Sequence, residues 1–127
     1  MASLKQFDTK TGANAGVEVE LKFIGSGAPS GAFIRVLGTD SDVFRDMQIE
    51  RAREALDREA KGLPDWTAEE RDERSVQTLA RCTLGWRGLD GIEDFSIKAA
   101  EALYRDYPAI REQVNIAIAN RANFLTG

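Results

Sequence analysis

The 127-residue chain contains no histidine and a single cysteine, Cys82. Without histidine, Ser–His and Cys–His nucleophile pairs and histidine metal sites are excluded. A general acid or base would have to be a carboxylate, a lysine, a tyrosine or Cys82 itself. One cysteine cannot form an internal disulfide, which permits a reducing compartment. We therefore expect no catalytic set, no metal site and no cofactor.

Long apolar runs and nucleotide-binding motifs are also missing. No stretch approaches the roughly 18 apolar residues of a membrane span, and "MASLKQFDTKTG" has no apolar signal segment. No GxxxxGK[ST], GxGxxG or EF-hand pattern occurs. The net charge of −4 argues against broad electrostatic nucleic-acid binding, which needs a basic face. These absences predict neither a membrane nor a nucleic acid among the partners.

The composition suits one domain, residues 1–127, because a chain that is 43% hydrophobic and 30% charged can build a core under a solvated surface. Residues 1–15 are polar and predict a flexible arm. Residues 16–38 predict a β-hairpin, and residues 41–125 predict a helical part. We expect an α+β fold, an N-terminal antiparallel β-hairpin followed by about four α-helices.

The hairpin prediction depends on alternation between apolar and charged side chains in "VEVELKF". This alternation is typical of a strand with one buried face. The side chains expected on that face are Val17, Val19, Leu21 and Phe23. The glycine-rich stretch 25–31 predicts the loop, and stretch 32–37 predicts the partner strand. A lone hairpin is marginal in water, so a helix or another chain should cover it.

Capping residues mark the starts of the predicted helices. Asp40 or Ser41 can cap a charged helix over 42–61. Thr67 and Glu70 form a capping box for a helix over 68–84 that should stop at Gly85. Ser96 can cap a helix over 97–106, and Pro108 fits the first turn of a last helix that should run to about 124.

The stretch "LARCTLGWRGLDGIEDFS", residues 79–96, looks more like a site than any other part of the chain. No histidine can activate Cys82, and a helical cysteine beside apolar residues is more often a small core residue. Gly85 and Gly88 predict the turn that ends a helix. We expect Trp86 to be largely buried where helix 68–84 meets the last two helices.

Two acidic groups deserve separate interpretations. Asp90, Glu93 and Asp94 share a loop, where carboxylates could bind Mg²⁺ or Ca²⁺, although solvated loop acids are far more common. Glu69, Glu70, Asp72 and Glu73 form an acidic run at the start of a predicted helix, where acids stabilise the helix dipole. A carboxylate-based enzyme is therefore a weaker hypothesis. The thin core, the charged helix and the missing catalytic set favour a binding or assembly module that is not an enzyme.

The order of motifs in residues 83–125 resembles a known family. The motifs are Gly85-Trp86-Arg87-Gly88, Phe95-Ser96, Leu103-Tyr104, Pro108-Ala109-Ile110 and Phe124-Leu125. This order is similar to that of the tail assembly chaperones of long-tailed bacteriophages. "GVEVELKFIG" and "FIRVLGTDSDVFRD" resemble that family's hairpin and its step into an arginine-rich helix, so the resemblance covers roughly residues 16–125.

The resemblance implies a function in the host cell cytoplasm during tail assembly. Such chaperones bind the tape measure protein, keep it soluble and help recruit tail tube subunits. In many phages a translational frameshift adds an extension that binds tube protein, and a chain ending at Gly127 would be the short form. The implied partners are the tape measure protein and the tail tube protein. The alternative is a small structural virion protein, such as a head–tail connector or a tail-completion protein.

A chaperone for a helical client needs apolar grooves, which the last two predicted helices could provide. The side chains expected to bind the partner are Trp86, Leu103, Tyr104, Tyr107, Ile110, Val114, Ile118, Phe124 and Leu125. An edge strand of the hairpin could also pair between copies and give a homo-oligomer.

Overall fold

The computed structural model describes residues 1–125, so the last two residues of the predicted domain lie outside the described residues. The chain has an α+β fold with an antiparallel sheet in the order β1-β2-β3. The strands are β1 (Val17–Lys22), β2 (Pro29–Val36) and β3 (Thr83–Arg87). The α-helices are α1 (Lys10–Ala15), α2 (Asp42–Ala60), α3 (Ala68–Arg81), α4 (Ile97–Asp106) and α5 (Pro108–Ala119). Short 3-10 helices cover Leu4–Phe7 and Arg121–Phe124. The predicted fold class is confirmed: within residues 1–125, four α-helices follow the hairpin.

The hairpin forms where the alternating pattern predicts it, with Val17 opposite Val36 and Val19 opposite Ile34. Ile34 and Val36 face the core and are fully buried. Two details differ from the prediction. β2 begins at Pro29, inside the predicted loop, and Phe23 lies beyond β1 with 58% of its surface exposed. The expected inward position of Phe23 is wrong because the register shifts after Glu20 and the strand ends at Lys22.

The sheet gains a third strand that the sequence pattern did not predict. Helix α3 ends at Arg81 rather than at Gly85, and Thr83–Arg87 pairs with β2. Gly85 lies opposite Arg35 and therefore does not form the helix-ending turn that we expected. The strand covers the edge of β2 that the hairpin leaves unpaired, which satisfies backbone groups at that edge.

Trp86 lies on β3 opposite Ile34, and most of its surface is buried, in agreement with the prediction, although it is not fully enclosed. It packs against the core, and its ring meets the Phe95 ring edge to face, with centroids 5.0 Å apart and an interplanar angle of 81°. Such T-shaped pairs are favourable because the ring edge is positive and the ring face is negative. The predicted position, a junction between helices, was wrong because Trp86 is a strand residue.

The core lies between the sheet and helices α3, α4 and α5. Tyr104 is fully buried there, and its hydroxyl lies 2.7 Å from Thr83 Oγ1, which in turn donates to the Leu79 carbonyl at 2.8 Å. Burial raises the pKa of Tyr104 to about 12, because a buried phenolate loses its hydration. The polar atoms of this core are thus satisfied within the protein.

Helix α2 packs against this core through the partly buried Phe44 and begins as the capping residues predict. Ser41 Oγ accepts from the Phe44 N–H at 3.2 Å. Met47 is the one buried side chain that α2 provides, and it packs in a second small cluster with Leu37 and Cys82. The rest of α2 is mostly solvated, as its charged sequence predicts.

The connection between α2 and α3 confirms the predicted capping box. The Thr67 hydroxyl accepts from the Glu70 N–H, and the Glu70 carboxylate accepts from the Thr67 N–H, each at 3.1 Å. Just before the box, two guanidinium groups lie over the Trp66 ring, that of Arg58 at 3.9 Å and that of Arg74 at 4.4 Å from its centroid. These cation–π contacts fix the connection to both helices.

The second half of the N-terminal segment is packed, so the predicted flexible arm is wrong for Lys10–Ala15. Ala13 is fully buried, and its carbonyl accepts from the Gly38 N–H at 3.2 Å. A Cβ on Gly12 would lie 2.1 Å from the Phe124 carbonyl oxygen, so only glycine permits this approach to the C-terminal turn. The last helix also stops early, because Asn120 is extended and its side chain caps the next turn.

Candidate functional site

The corner between α4 and α5 exposes an aromatic side chain. Pro108 has no N–H and occupies the first turn of α5, while the Tyr107 N–H still closes α4 on the Leu103 carbonyl at 2.9 Å. Tyr107 therefore ends one helix and begins the next. Its side chain is 58% exposed.

The tip of the hairpin lies beside this corner and is also apolar. Ile24 is 74% exposed and follows the exposed Phe23. Gln113 of α5 binds both backbone groups of Lys22: its Oε1 accepts from the N–H at 2.8 Å, and its Nε2 donates to the carbonyl at 2.9 Å. The side-chain amide thus replaces a neighbouring strand at the edge of β1 and fixes the hairpin tip against α5.

The segment after β3 forms the third wall. Gly88 has a φ of +77°, and a Cβ there would lie 2.3 Å from the Gly31 carbonyl oxygen. Glycine therefore allows this segment to cross closely over β2 and to present Leu89, which is partly buried.

These three segments enclose an open depression of about 560 Å³, which we call the apolar groove. Its main apolar walls are Phe23, Ile24, Leu89, Tyr107 and Ile110. A second depression of about 320 Å³ adjoins it, because Leu89, Tyr107 and Ile110 line both. A contiguous exposed apolar surface with few polar groups can bind an apolar ligand or the apolar face of a helix.

The nine predicted partner-binding residues fall into two groups in the structure, one in the core and one at least partly accessible. Five lie in the core: Leu103, Tyr104, Val114, Ile118 and Phe124. Tyr104, Val114, Ile118 and Phe124 are not accessible to a partner in this conformation, so their predicted contact is corrected. Leu103 is 7% exposed and lines the depression that adjoins the apolar groove. The spacing of these core residues is that of a helix face, and burial against the sheet requires the same spacing as partner binding.

The other four predicted residues remain at least partly accessible. Tyr107 and Ile110 line the apolar groove, where a partner bound at the corner between α4 and α5 would contact them. Trp86 is partly buried and contacts Phe95. Leu125 is 49% exposed and lines a different depression near Asp40.

Sequence reasoning missed Phe23, Ile24 and Leu89 as groove residues. Phe23 continues the alternation of β1 and was therefore placed on the buried face. A signal was present in "KFIGSG", where two large apolar residues directly precede a glycine-rich turn. A hairpin tip of this kind is unusual unless something covers it.

A larger open depression of about 760 Å³ lies near the termini, and its lining mixes charged side chains with the exposed apolar side chains of Phe7 and Leu125. Asp40 accepts from Thr9 Oγ1 at 2.6 Å and from Arg121 Nε at 2.8 Å, and these bonds hold the pKa of its carboxyl below the usual range. Lys10 pairs with Asp42 at 3.3 Å. These groups bind one another. The packing of the two terminal segments therefore accounts for their positions.

Cys82 has the opposite of the environment that a nucleophile needs. It is fully buried, and burial raises its pKa to about 11. A reactive cysteine has a lowered pKa and some exposure. The structure thus agrees with the interpretation of Cys82 as a core residue.

Residues 1–125 contain neither a cluster of metal-binding side chains nor a membrane-spanning helix. Within that range no group of three or more Asp, Glu or Cys side chains could hold a metal ion, and Asp90, Glu93 and Asp94 form no such group. No helix among the described residues is both long enough and apolar enough to cross a membrane. Comparison of the chain with protein families, with curated proteins and with solved structures found no match.

Proposed function

We propose that the chain is a tail assembly chaperone of a long-tailed bacteriophage. It would bind the tape measure protein in the host cell cytoplasm, keep that protein soluble and help recruit tail tube subunits. The observation that carries the proposal is the apolar groove, taken together with the resemblance of residues 16–125. An amphipathic helix binds by placing its apolar face in a groove of this kind.

The geometry of the groove favours binding without large rearrangement. Gln113 fixes the hairpin tip to α5, and Pro108 fixes the corner between α4 and α5. Rigid walls reduce the conformational entropy that is lost when a ligand binds. Covering a large apolar side chain such as Phe23 or Ile24 contributes up to about 1.5–3 kcal/mol each. Several such contacts give moderate affinity, which suits many copies bound along one long client.

Co-expression with the tape measure protein of the same phage tests the proposal. We expect the tape measure protein to stay in the soluble fraction and to co-purify with the chain. Ile24→Ser should reduce its recovery because it removes a groove wall. Ile116→Ser is the matched control, since Ile116 is 62% exposed and lies outside the groove. If the solubility of the tape measure protein is unchanged and nothing co-purifies, the proposal is wrong.

Mass spectrometry of purified virions provides a second test. An assembly chaperone should be absent from the finished particle or present in traces. Abundant chain in the particle would contradict the chaperone function and support a structural virion protein.

A further inference from the structure

Acidic side chains without cationic partners lie along the apolar groove. Asp90 and Asp106 line both the groove and the adjoining depression, and Glu93 lines the latter. In the part of the chain that the structure describes, none of these three forms an ion pair within 4.0 Å. Elsewhere carboxylates commonly face guanidinium groups, as Glu18 faces Arg87 and Glu73 faces Arg105.

Two further features bear on the charge of the groove. The partial negative charge at the C-terminal end of α4 is offset by the partial positive charge at the start of α5, because Pro108 lines the same groove, so the negative charge comes from the carboxylates. Lys22 is the single cation among the described residues that line the groove, and its Nζ lies 3.4 Å from Glu20. The groove therefore combines apolar walls with uncompensated negative charge.

We infer that the occupant of the groove is an amphipathic helix whose apolar face is flanked by lysine or arginine side chains. The inference depends on the proposed function, in that it assigns a chemistry to the client segment. Cationic flanks would pair with Asp90 and Asp106 and with Glu93 at the rim, whereas acidic flanks would be repelled. The same charges would orient the helix, because they lie on the loop after β3 and at the end of α4.

Two synthetic peptides test this chemistry directly. Both are helices of about 18 residues with the same leucine face, flanked by lysine in one and by glutamate in the other. Fluorescence anisotropy with the full chain should show that the lysine peptide binds about tenfold more tightly at about 50 mM salt. The difference should shrink at about 500 mM salt, since ions screen exposed charges. Equal affinity of the two peptides at low salt would overturn the inference.

Matched variants separate the groove from the overall acidity of the protein. Asp90→Asn with Asp106→Asn should weaken binding of the lysine peptide by about three- to tenfold. Asp46→Asn with Glu59→Gln changes the net charge equally, at two exposed residues of α2 outside the groove. This control should retain the wild-type affinity. If the control weakens binding as much as the groove variant does, the peptide binds by bulk charge and the inference is wrong.

The tape measure protein then distinguishes the inference from the proposed function. If the tape measure protein no longer co-purifies with the Asp90→Asn, Asp106→Asn variant, both the cationic client and the chaperone function are supported. Equal recovery with that variant and with wild type, together with loss from Ile24→Ser, retains the chaperone function and overturns the cationic client. No recovery with wild type refutes the chaperone function, while the peptide preference still decides the chemistry of the groove. Self-association that Ile24→Ser abolishes would instead assign the groove to a second copy and overturn the inference.

Discussion

Replacement of Gly12 by alanine tests the packing of the N-terminal helix against the C-terminal turn. The new Cβ would lie 2.1 Å from the Phe124 carbonyl oxygen and 2.9 Å from its carbonyl carbon. Both are backbone atoms, so no side-chain rotation relieves the contact. The substitution gains up to about 1 kcal/mol of helix propensity, but overpacking of this kind costs about 1–3 kcal/mol.

Complete separation of α1 from the turn sets an upper limit to the loss. Phe124 is 2% exposed, and returning such a side chain to water costs about 1.5–3 kcal/mol. We therefore expect Gly12→Ala to lower the free energy of unfolding by about 1–2 kcal/mol. In a domain of this size, that loss lowers the Tm by about 3–10 °C. Circular dichroism during thermal unfolding measures the Tm, and hydrogen exchange should show lost protection in Lys10–Ala15.

Gly85→Ala provides the same chemical change at an open position. Gly85 has no left-handed φ, and a Cβ there would meet no atom within 4 Å. Alanine reduces the entropy of the unfolded chain, so this variant should be stabilised by about 0.4–1 kcal/mol. If Gly12→Ala is as stable as Gly85→Ala, the N-terminal helix does not dock as described, and the original prediction of a flexible arm regains support.

Three further predictions concern single side chains. Trp86→Ala should lower the free energy of unfolding by about 2–3 kcal/mol, less than the 3–5 kcal/mol of a fully buried tryptophan. Denaturant unfolding measures this loss, and a larger one would show that Trp86 is fully enclosed. Asp40→Asn should cost less than about 1 kcal/mol at neutral pH. That difference should disappear as pH falls through the lowered pKa of Asp40, since the protonated wild-type side chain loses the same bonds to Arg121. Cys82 should resist alkylation in the native protein. The free energy of unfolding should fall between pH 9 and 11, because the unfolded thiol ionises at its ordinary pKa of 9.0 whereas burial raises the pKa of the folded thiol to about 11. Rapid native alkylation would contradict the burial of Cys82.

The helix boundaries were predictable where they depend on neighbouring residues. Ser41, Thr67 with Glu70, and Ser96 cap their own first turns through contacts to residues three positions later, and Pro108 begins α5 by its fixed φ. Such contacts are encoded within a few residues and depend little on the remainder of the fold. The alternation in β1 was informative for the same reason.

The candidate site was predictable only in part. Tyr107 and Ile110 were found because they belong to a helix corner with a clear apolar pattern. The same pattern also selected Tyr104, Val114 and Ile118, because a periodic apolar face indicates burial without indicating what covers it. Here the sheet covers that face.

The sequence by itself therefore determined β1, the starts of helices α2 to α5 and the exclusion of histidine-based chemistry, since each depends on residue types and short spacings. Tertiary structure alone decided that Thr83–Arg87 joins the sheet, because β3 pairs with a strand about fifty residues earlier in the chain. It also decided that Gly12 contacts Phe124 and that the hairpin tip, the loop after β3 and the α4–α5 corner enclose one groove. These contacts join residues far apart in the chain, and packing selects them only when the whole chain has folded.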